Sequence, residues 1–156
     1  MGERRKVLVV CHAPSANVQA LADAVAEGAG DPAAGAVEVR ARAALEADPD
    51  DLLWCDGVVF GTTENFGYMS GGLKDFFDRS YYPCLERVDG RPYALFVKAG
   101  NDGTGAIQAV ERIVTGLKLR PIAEPLRFVG AMDARWRDQC RELGFTLAAG
   151  LDAGIF

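Results

Sequence analysis

Short, continuously apolar segments alternate with amphipathic segments along this chain, and this alternation limits the possible folds more than any other feature. Residues 7–11, 57–61 and 93–97 are apolar throughout, without the polar side chain at every second position that marks a half-exposed strand. Such runs are typical of strands that are buried on both faces. Between them, apolar residues recur every three or four positions, which predicts helices. Strands that alternate with helices form a parallel sheet with right-handed crossovers.

Two weaker segments complete the predicted sheet. Residues 37–42 alternate apolar and polar side chains, as expected for an edge strand with one face in water. Residues 122–129 predict a last strand that Pro125 interrupts, because proline has no N–H group for the sheet. The length of 156 residues suits a single domain, 1–156. We therefore expect an α/β, three-layer fold with a five-stranded parallel sheet of order 2-1-3-4-5 and helices on both faces.

Composition and charge exclude several classes of function. The formal net charge of −5 argues against a nucleic-acid-binding protein, which needs a concentrated excess of Lys and Arg. The four cysteines lie far apart, and the single histidine, His12, cannot complete a usual zinc ligand set. We therefore expect a reduced, cytoplasmic protein without a metal site, in which His12 is a solvated loop residue.

Neither terminal region predicts a membrane span. The apolar run at residues 7–11 is too short for a signal-peptide core or a transmembrane helix. The apolar segment 144–156 is also too short, and it contains Asp152. We interpret it as a terminal segment that docks on the domain, with a dimer contact as the alternative.

Three segments carry more chemistry than a plain connection needs, and they follow the first, third and fourth predicted strands. They span residues 12–17, 61–70 and 99–105. The carboxyl ends of parallel strands lie at one edge of a sheet, so the three segments should converge on a crevice between the first and third strands. A ligand is expected in this crevice.

The first segment, residues 12–17, predicts a phosphate site. It ends where a helix begins, with Asn17 as the expected N-cap. The unpaired N–H groups and the positive dipole end of a helix bind anions, and Ser15 and Asn17 add side-chain donors. An ordinary helix cap is the alternative interpretation.

The second segment, residues 61–70, fits a flat heteroaromatic ring. Phe66 and Tyr68 offer aromatic faces or edges, and Gly67 allows a peptide group to approach a ring closely. Phe66 has an alternative interpretation as a core residue. Phe76 and Phe77, in the helix that follows, are expected in the core.

The residues from Gly61 to Arg79 resemble the flavodoxin-like superfamily, in particular its flavodoxins and its NAD(P)H-dependent FMN or quinone reductases. That superfamily carries Gly-Thr-Pro-x-x-Phe-Gly-x-Met-Ser before a helix of the form x-x-x-Lys-x-Phe-x-Asp-Arg. This chain has Gly-Thr-Thr-Glu-Asn-Phe-Gly-Tyr-Met-Ser and then Lys-Asp-Phe-Phe-Asp-Arg. The resemblance implies a flavodoxin-like fold with FMN as the cofactor. Members often have two hydroxyls, a glycine and a proline at the positions of Ala13, Val18, Ala16 and Thr63.

The resemblance also implies which residues contact FMN. Its phosphate would be held by Ser15, Asn17 and Val18. Its ribityl chain and flavin ring would be lined by Thr62, Thr63, Glu64, Asn65, Phe66, Gly67 and Tyr68. The pyrimidine side of the ring would be bordered by Gly100, Asn101 and Asp102. The flavin would carry the chemistry, without a catalytic side chain.

By the same resemblance, the chain is expected to be an FMN-binding redox protein, an NAD(P)H-dependent flavin or quinone oxidoreductase. Its partners would be NAD(P)H and a quinone-like molecule, or a redox partner protein, and a homo-oligomer is compatible with this interpretation. A flavodoxin-type electron carrier is one alternative. A binding module that no longer holds FMN is another, because of Ala13, Ala16 and Val18. An aromatic approach to the ring favours the reductase, with packing at a helix end as the alternative interpretation of the tyrosines. The residues concerned are Phe66, Tyr68, Tyr81 and Tyr82.

The sequence lacks the motifs of several other protein classes that are built on related sheets. A phosphoreceiver needs an aspartate at the end of its third strand, where this chain has Thr62. A serine hydrolase needs a histidine late in the chain, and the one histidine is His12. A P-loop and a Gly-x-Gly-x-x-Gly motif are absent, since the glycines of segment 100–105 have the wrong spacing.

Overall fold

A sheet with helices on both faces forms the centre of the protein, and the computed structural model describes residues 3–156. The strands are β1 (Arg5–Cys11), β2 (Val37–Ala43), β3 (Gly57–Asn65), β4 (Tyr68–Met69), β5 (Pro92–Ala99), β6 (Arg120–Pro121) and β7 (Leu126–Val129). The helices are α1 (Ala16–Ala29), α2 (Pro49–Trp54), α3 (Gly71–Cys84), α4 (Thr104–Gly116) and α5 (Ala134–Asp152), with a 3-10 turn at Pro32–Ala34.

The strand order confirms the predicted sheet. It runs β2-β1-β3-β5, all parallel, and β6 and β7 both pair with the free edge of β5 in parallel register. The fifth position is thus filled by two short strands. The predicted interruption near Pro125 is confirmed, whereas the predicted start at residue 122 is wrong, because the first short strand is Arg120–Pro121. Residues 122–125 leave the ladder because Pro125 cannot donate to β5, although the Ile122 N–H still donates to Tyr93 O at 3.0 Å.

Each face of the sheet buries its own apolar core. Successive side chains of a strand point to opposite faces, so Val7 and Val9 of β1 pack beneath α1 and α5, whereas Leu8 and Val10 pack beneath α2, α3 and α4. Phe60 of β3 lies on the second face, with ring centroids 6.5 Å from Phe76 and 5.1 Å from Phe77. The prediction that both helical phenylalanines are core residues is confirmed.

The carboxyl-terminal segment docks on the domain, as predicted. Helix α5 packs against α1 through Cys140, Leu143 and Leu147, which are all buried. After the helix ends, the Phe156 ring folds back against Gly150. None of the helices in residues 3–156 combines the length and the apolar character that crossing a lipid bilayer requires.

The segment that follows the third strand is a β-hairpin, which corrects the prediction of a strand ending at Gly61 and a long loop. Strand β3 continues to Asn65 and pairs antiparallel with β4, with Glu64 opposite Met69 and Asn65 opposite Tyr68. The two-residue turn is Phe66-Gly67, with φ of 53° and 71°. Positive φ at both central residues is the requirement of a tight hairpin turn whose twist matches its strands.

Candidate cofactor-binding site

The three predicted segments do meet at one edge of the sheet, where β1, β3 and β5 end. The His12 N–H donates to Gly61 O at 3.3 Å, which joins the ends of β1 and β3. In a sheet of this order, the chain crosses from one face to the other between these two strands, and ligands bind in the crevice that results.

The amino terminus of α1 forms one end of this crevice. Ser15 is the N-cap, with its Oγ accepting from the Val18 N–H at 3.3 Å, so the prediction of Asn17 as the cap is wrong. Ser15 and Asn17 are exposed, and the first turn carries no acidic side chain. Within residues 3–156, the N–H groups of Ala16 and Asn17 have no acceptor, as is usual for the first turn of a helix. The Val18 side chain points into the core and is 3% exposed.

The threonine hydroxyl groups at the base of the hairpin form hydrogen bonds within the hairpin itself. Thr62 is completely buried, and its Oγ1 accepts from the Ser70 N–H at 2.9 Å and donates to Thr63 O at 2.8 Å. The Thr63 hydroxyl donates to Asn65 Oδ1 at 3.1 Å. The Thr62 hydroxyl is therefore engaged within the protein, and its predicted contact with a ligand stays a prediction.

The tip of the hairpin presents aromatic side chains to the solvent. Phe66 is fully exposed, which excludes its interpretation as a core residue, and Tyr68 is 43% exposed. Bulky residues with φ in the left-handed region are rare outliers, and this conformation costs about 1–2 kcal/mol per residue. An aromatic residue that is both strained and exposed contributes nothing to the core, and such positions cluster at ligand sites.

Glu64 connects the hairpin to the amino terminus of α4. Its Oε1 accepts from the Gly103 N–H at 3.0 Å and its Oε2 from the Ala106 N–H at 3.2 Å. The sequence interpretation placed Glu64 beside the ligand and missed this role. A signal was present, because α4 begins after a glycine that has no side chain to cap the helix.

The third segment, residues 99–105, is exposed at Gly100, Asn101 and Asp102. The Asp102 carboxylate accepts from the Thr104 hydroxyl and lies 3.7 Å from Arg127 Nη1. The same Arg127 nitrogen donates to Asp102 O at 2.6 Å. Arg127 therefore offsets the negative charge of Asp102 and ties this loop to β7.

His12 lies at the end of β1 with its ring against the start of α3. A Cβ atom at Gly72 would lie 2.5 Å from His12 Cδ2, so the imidazole occupies the space that a side chain would need. The Nδ1 atom is buried and has no hydrogen-bond partner within residues 3–156. His12 is thus a loop residue, as expected, but it is only partly exposed to solvent, because its ring packs against Gly72.

The cysteines are buried and are not activated thiols. Burial raises the pKa of Cys11 to about 12, with a smaller contribution from the charge of Asp23. Burial likewise raises the pKa of Cys55 and of Cys140 to about 12. The reactive form of cysteine is the thiolate, so these side chains are protonated and unreactive at neutral pH.

The crevice fits a phosphorylated flat ring. The exposed start of α1 suits a phosphate, and the exposed hairpin tip and loop 100–102 belong to the segments that follow β3 and β5 at the same edge of the sheet. A doubly wound sheet with these features at its switch point defines a flavodoxin-like protein. The chain belongs to the family of NADPH-dependent FMN reductases, whose family model matches residues 15–130.

Individual relatives agree with this assignment. The chain is 35% identical over 112 residues to a flavodoxin from Aquifex aeolicus, a match that covers 72% of this chain and 60% of the relative. It is 33% identical over 119 residues to an NAD(P)H dehydrogenase (quinone) from Acidithiobacillus ferrooxidans, covering 64% of this chain and 60% of the relative. The chain thus spans about three fifths of the length of these curated relatives.

A solved structure of a flavodoxin from the domain Archaea superposes with a TM-score of 0.75 at 21% identity, covering 92% of this chain and 96% of that one. This similarity concerns the fold. It confirms the predicted flavodoxin-like fold, and the family model and the flavodoxin relative confirm the predicted superfamily. The predicted contacts of individual residues with FMN stay predictions.

Proposed function

We propose that the protein binds FMN in the crevice and catalyses electron transfer from NAD(P)H to a quinone or to a free flavin. The observation that carries this proposal is the pairing of an open helix amino terminus with a strained, fully exposed aromatic turn at the switch point of the sheet. The first suits a phosphate and the second suits a ring that must remain accessible to a second molecule. The matched family and the quinone-reducing relative support the same reaction class.

Residues from all three segments would hold the cofactor. The Ala16 and Asn17 N–H groups, with the hydroxyl of Ser15, would bind the phosphate. The hairpin tip at Phe66-Gly67 and the loop Gly100–Asp102 would border the ring. When bound, FMN supplies the redox chemistry by accepting electrons from a reduced nicotinamide and passing them on, so no protein nucleophile is required.

The phosphate end has fewer side-chain donors than is common in the superfamily. Ala13 and Val18 occupy positions where a hydroxyl is frequent, and two lost hydroxyl hydrogen bonds weaken binding by roughly 1–3 kcal/mol. This is about one to two orders of magnitude in affinity. The backbone donors of the first turn remain, so we expect FMN to bind, with a lower affinity than in members that have these hydroxyls.

The hairpin favours a reductase over a one-partner electron carrier, since Phe66 and Tyr68 leave an aromatic surface open for a small flat substrate. Tyr81 and Tyr82 do not belong to this approach, contrary to the sequence interpretation. Helix α3 leads away from the crevice, and Tyr81 lies ten residues after its start, which is about 15 Å along the helix axis. Both tyrosines are therefore far from the predicted ring position.

The proposal is tested with the purified protein under anaerobic conditions. The apo protein is first titrated with FMN. The loaded protein is then mixed with NADPH or NADH while the visible absorbance of the flavin is followed. We expect FMN binding, rapid bleaching by one nicotinamide and reoxidation by a benzoquinone. Binding without bleaching would favour the electron carrier. If the protein binds no FMN, both redox functions are overturned, and the remaining candidate is a binding module that no longer holds FMN.

A further inference from the structure

The Glu64 side chain connects the hairpin to the third segment, the two parts of the chain that border the predicted ring position. It extends from β3 in the hairpin, and both of its carboxylate oxygens accept from N–H groups of the third segment and its helix, those of Gly103 and Ala106. The residue is half-buried, so solvent screens these charge-assisted bonds only in part.

Helix α4 depends on Glu64 for its capping. Its N-cap is Gly103, with φ of 94° and no side chain to accept from the first turn. The unsatisfied N–H groups and the positive dipole end are therefore neutralised from a different part of the chain. A carboxylate at this position is stabilised by the helix and in turn holds the helix against the hairpin.

The tip of the hairpin rests directly on the same helix turn. A Cβ atom at Gly105 would lie 2.0 Å from Gly67 O, so any larger residue there would push the hairpin away. At the other end, the hydrogen bond from Ser70 N to Thr62 Oγ1 closes the hairpin base. The hairpin is thus held at its base, at Glu64 and at its tip.

We propose that Glu64 is a positioning residue that sets the spacing between the hairpin and the loop 100–105, and so the width of the slot that receives the flavin ring. This inference rests on the proposed FMN function. Glu64 acts through Gly103 and Ala106, in the third segment and α4 and not at the start of α1, so its effect concerns the ring and not the phosphate end of the site.

The apo protein provides the first test. In 15N-labelled wild type, the amides of Gly103 and Ala106 should be protected from hydrogen exchange, because both donate to the Glu64 carboxylate. In Glu64→Ala, we expect this protection to be lost. Equal protection in the variant would overturn the role of Glu64 as the cap of α4.

The second test compares FMN with riboflavin, which has the ring without the phosphate. We expect Glu64→Ala to weaken both ligands by the same factor, about tenfold, and to change the visible circular dichroism of the bound flavin. Glu64→Gln retains an acceptor for one N–H group and should recover part of the affinity. Unchanged or tighter binding of both ligands in Glu64→Ala would overturn the inference. It would mean that the carboxylate does not affect the position of the ring, or that it occupies space that the ring needs.

Asp31→Ala is the matched control, because Asp31 also accepts from a backbone N–H, that of Ala33, but follows α1 at the opposite edge of the sheet. It should leave the affinity for both ligands unchanged. If Glu64→Ala does not fold, the comparison of Glu64→Gln with Asp31→Ala decides the same question. Failure of the wild type to bind FMN or riboflavin overturns the proposed function and this inference together, whereas normal wild-type binding with an unaffected Glu64→Ala overturns the inference alone.

Discussion

Thr62 and Ser70 close the base of the hairpin across eight positions of the sequence, with Thr62 Oγ1 accepting from the Ser70 N–H at 2.9 Å. Ser70 is at the same time the N-cap of α3, where its Oγ accepts from the Leu73 N–H at 3.3 Å. The hairpin that borders the crevice and the helix that follows it are therefore fixed to each other by two consecutive hydrogen bonds. Both Thr62 and Ser70 are completely buried, so water cannot replace these bonds.

Thr62→Val is expected to lower the free energy of unfolding by about 1–3 kcal/mol, because the variant has the same shape but leaves the buried Ser70 N–H without an acceptor. Urea denaturation measures this loss. Thr63→Val is the control, since its hydroxyl bonds only to exposed Asn65, and its effect should stay within about 0.5 kcal/mol. Equal midpoints for the wild type and Thr62→Val would contradict the role assigned to this pair.

Ser15→Ala is expected to act at the phosphate end of the crevice. It removes the N-cap of α1, which costs about 1 kcal/mol of stability. It also removes a donor to the phosphate, so FMN should bind about tenfold more weakly. Riboflavin affinity should not change, and the two titrations together check this. Gln19→Ala, on the exposed side of the same helix, serves as the control, and an equal loss for both ligands would place the phosphate elsewhere.

Phe66→Asn is expected to stabilise the apo protein while it impairs turnover. Asn-Gly is the preferred pair for a two-residue hairpin turn, and relief of the left-handed Phe66 should raise stability by about 0.5–1 kcal/mol. Thermal unfolding and NADPH:quinone activity are measured side by side. We expect a higher Tm together with a raised KM, because the exposed aromatic surface is lost. A variant that is less stable and fully active would contradict both statements.

Gly67→Val is expected to destabilise the hairpin although the structure leaves room for a side chain. A Cβ atom at Gly67 would meet nothing within 4 Å, so the effect comes from φ of 71° and not from a clash. The expected loss is about 1–2 kcal/mol, accompanied by weaker FMN binding. Gly71→Ala also introduces a side chain into open space, but without a positive φ, and it should be neutral. Indistinguishable behaviour of the two variants would argue against the turn conformation.

Alkaline pH is expected to destabilise the protein through its buried thiols. The pKa of Cys11, Cys55 and Cys140 is raised from 9.0 to about 12 in the folded state. Because the folded state favours the protonated thiols, their contribution is fully present below pH 9 and is lost progressively as the pH rises from there to about 12. Denaturation midpoints between pH 7 and 11 test this, and Cys140→Ala should flatten the decline. At neutral pH, a thiol reagent should label these residues only after unfolding.

Local sequence patterns are sufficient to predict the strands and helices whose stability depends on nearby residues. The apolar run at residues 7–11 became the central β1, the alternating segment 37–42 became the edge strand Val37–Ala43, and Phe76 and Phe77 became core residues. In each case, a repeat of two or about four residues determines which side chains face the sheet. The order of the strands followed from the rules of parallel sheets.

The sequence pattern does not predict the hairpin, because this turn requires an unusual backbone conformation at a single residue. Nothing in the Phe66 side chain indicates a left-handed backbone, so the hairpin was interpreted as a loop and β3 was ended at Gly61. The interruption near Pro125 follows from the sequence, but the first of the two short strands lies at Arg120–Pro121, before the predicted range, and each strand pairs with β5 independently. Both outcomes depend on strand pairing, which involves residues that are not adjacent in the sequence.

The amino-acid sequence is sufficient to predict the superfamily, the parallel sheet and the chemical groups at its carboxyl edge. Which of these groups remain free for a ligand depends on the packing of the folded chain. Val18 and Thr62 are engaged within the fold, and Glu64 accepts from the N–H of Gly103, the N-cap of α4, which is 39 residues further along the chain. The glycine at the N-cap indicates that another residue must cap α4, but local sequence patterns do not identify it, because the partners meet only after β3 and β5 have paired and placed α4 beside the hairpin.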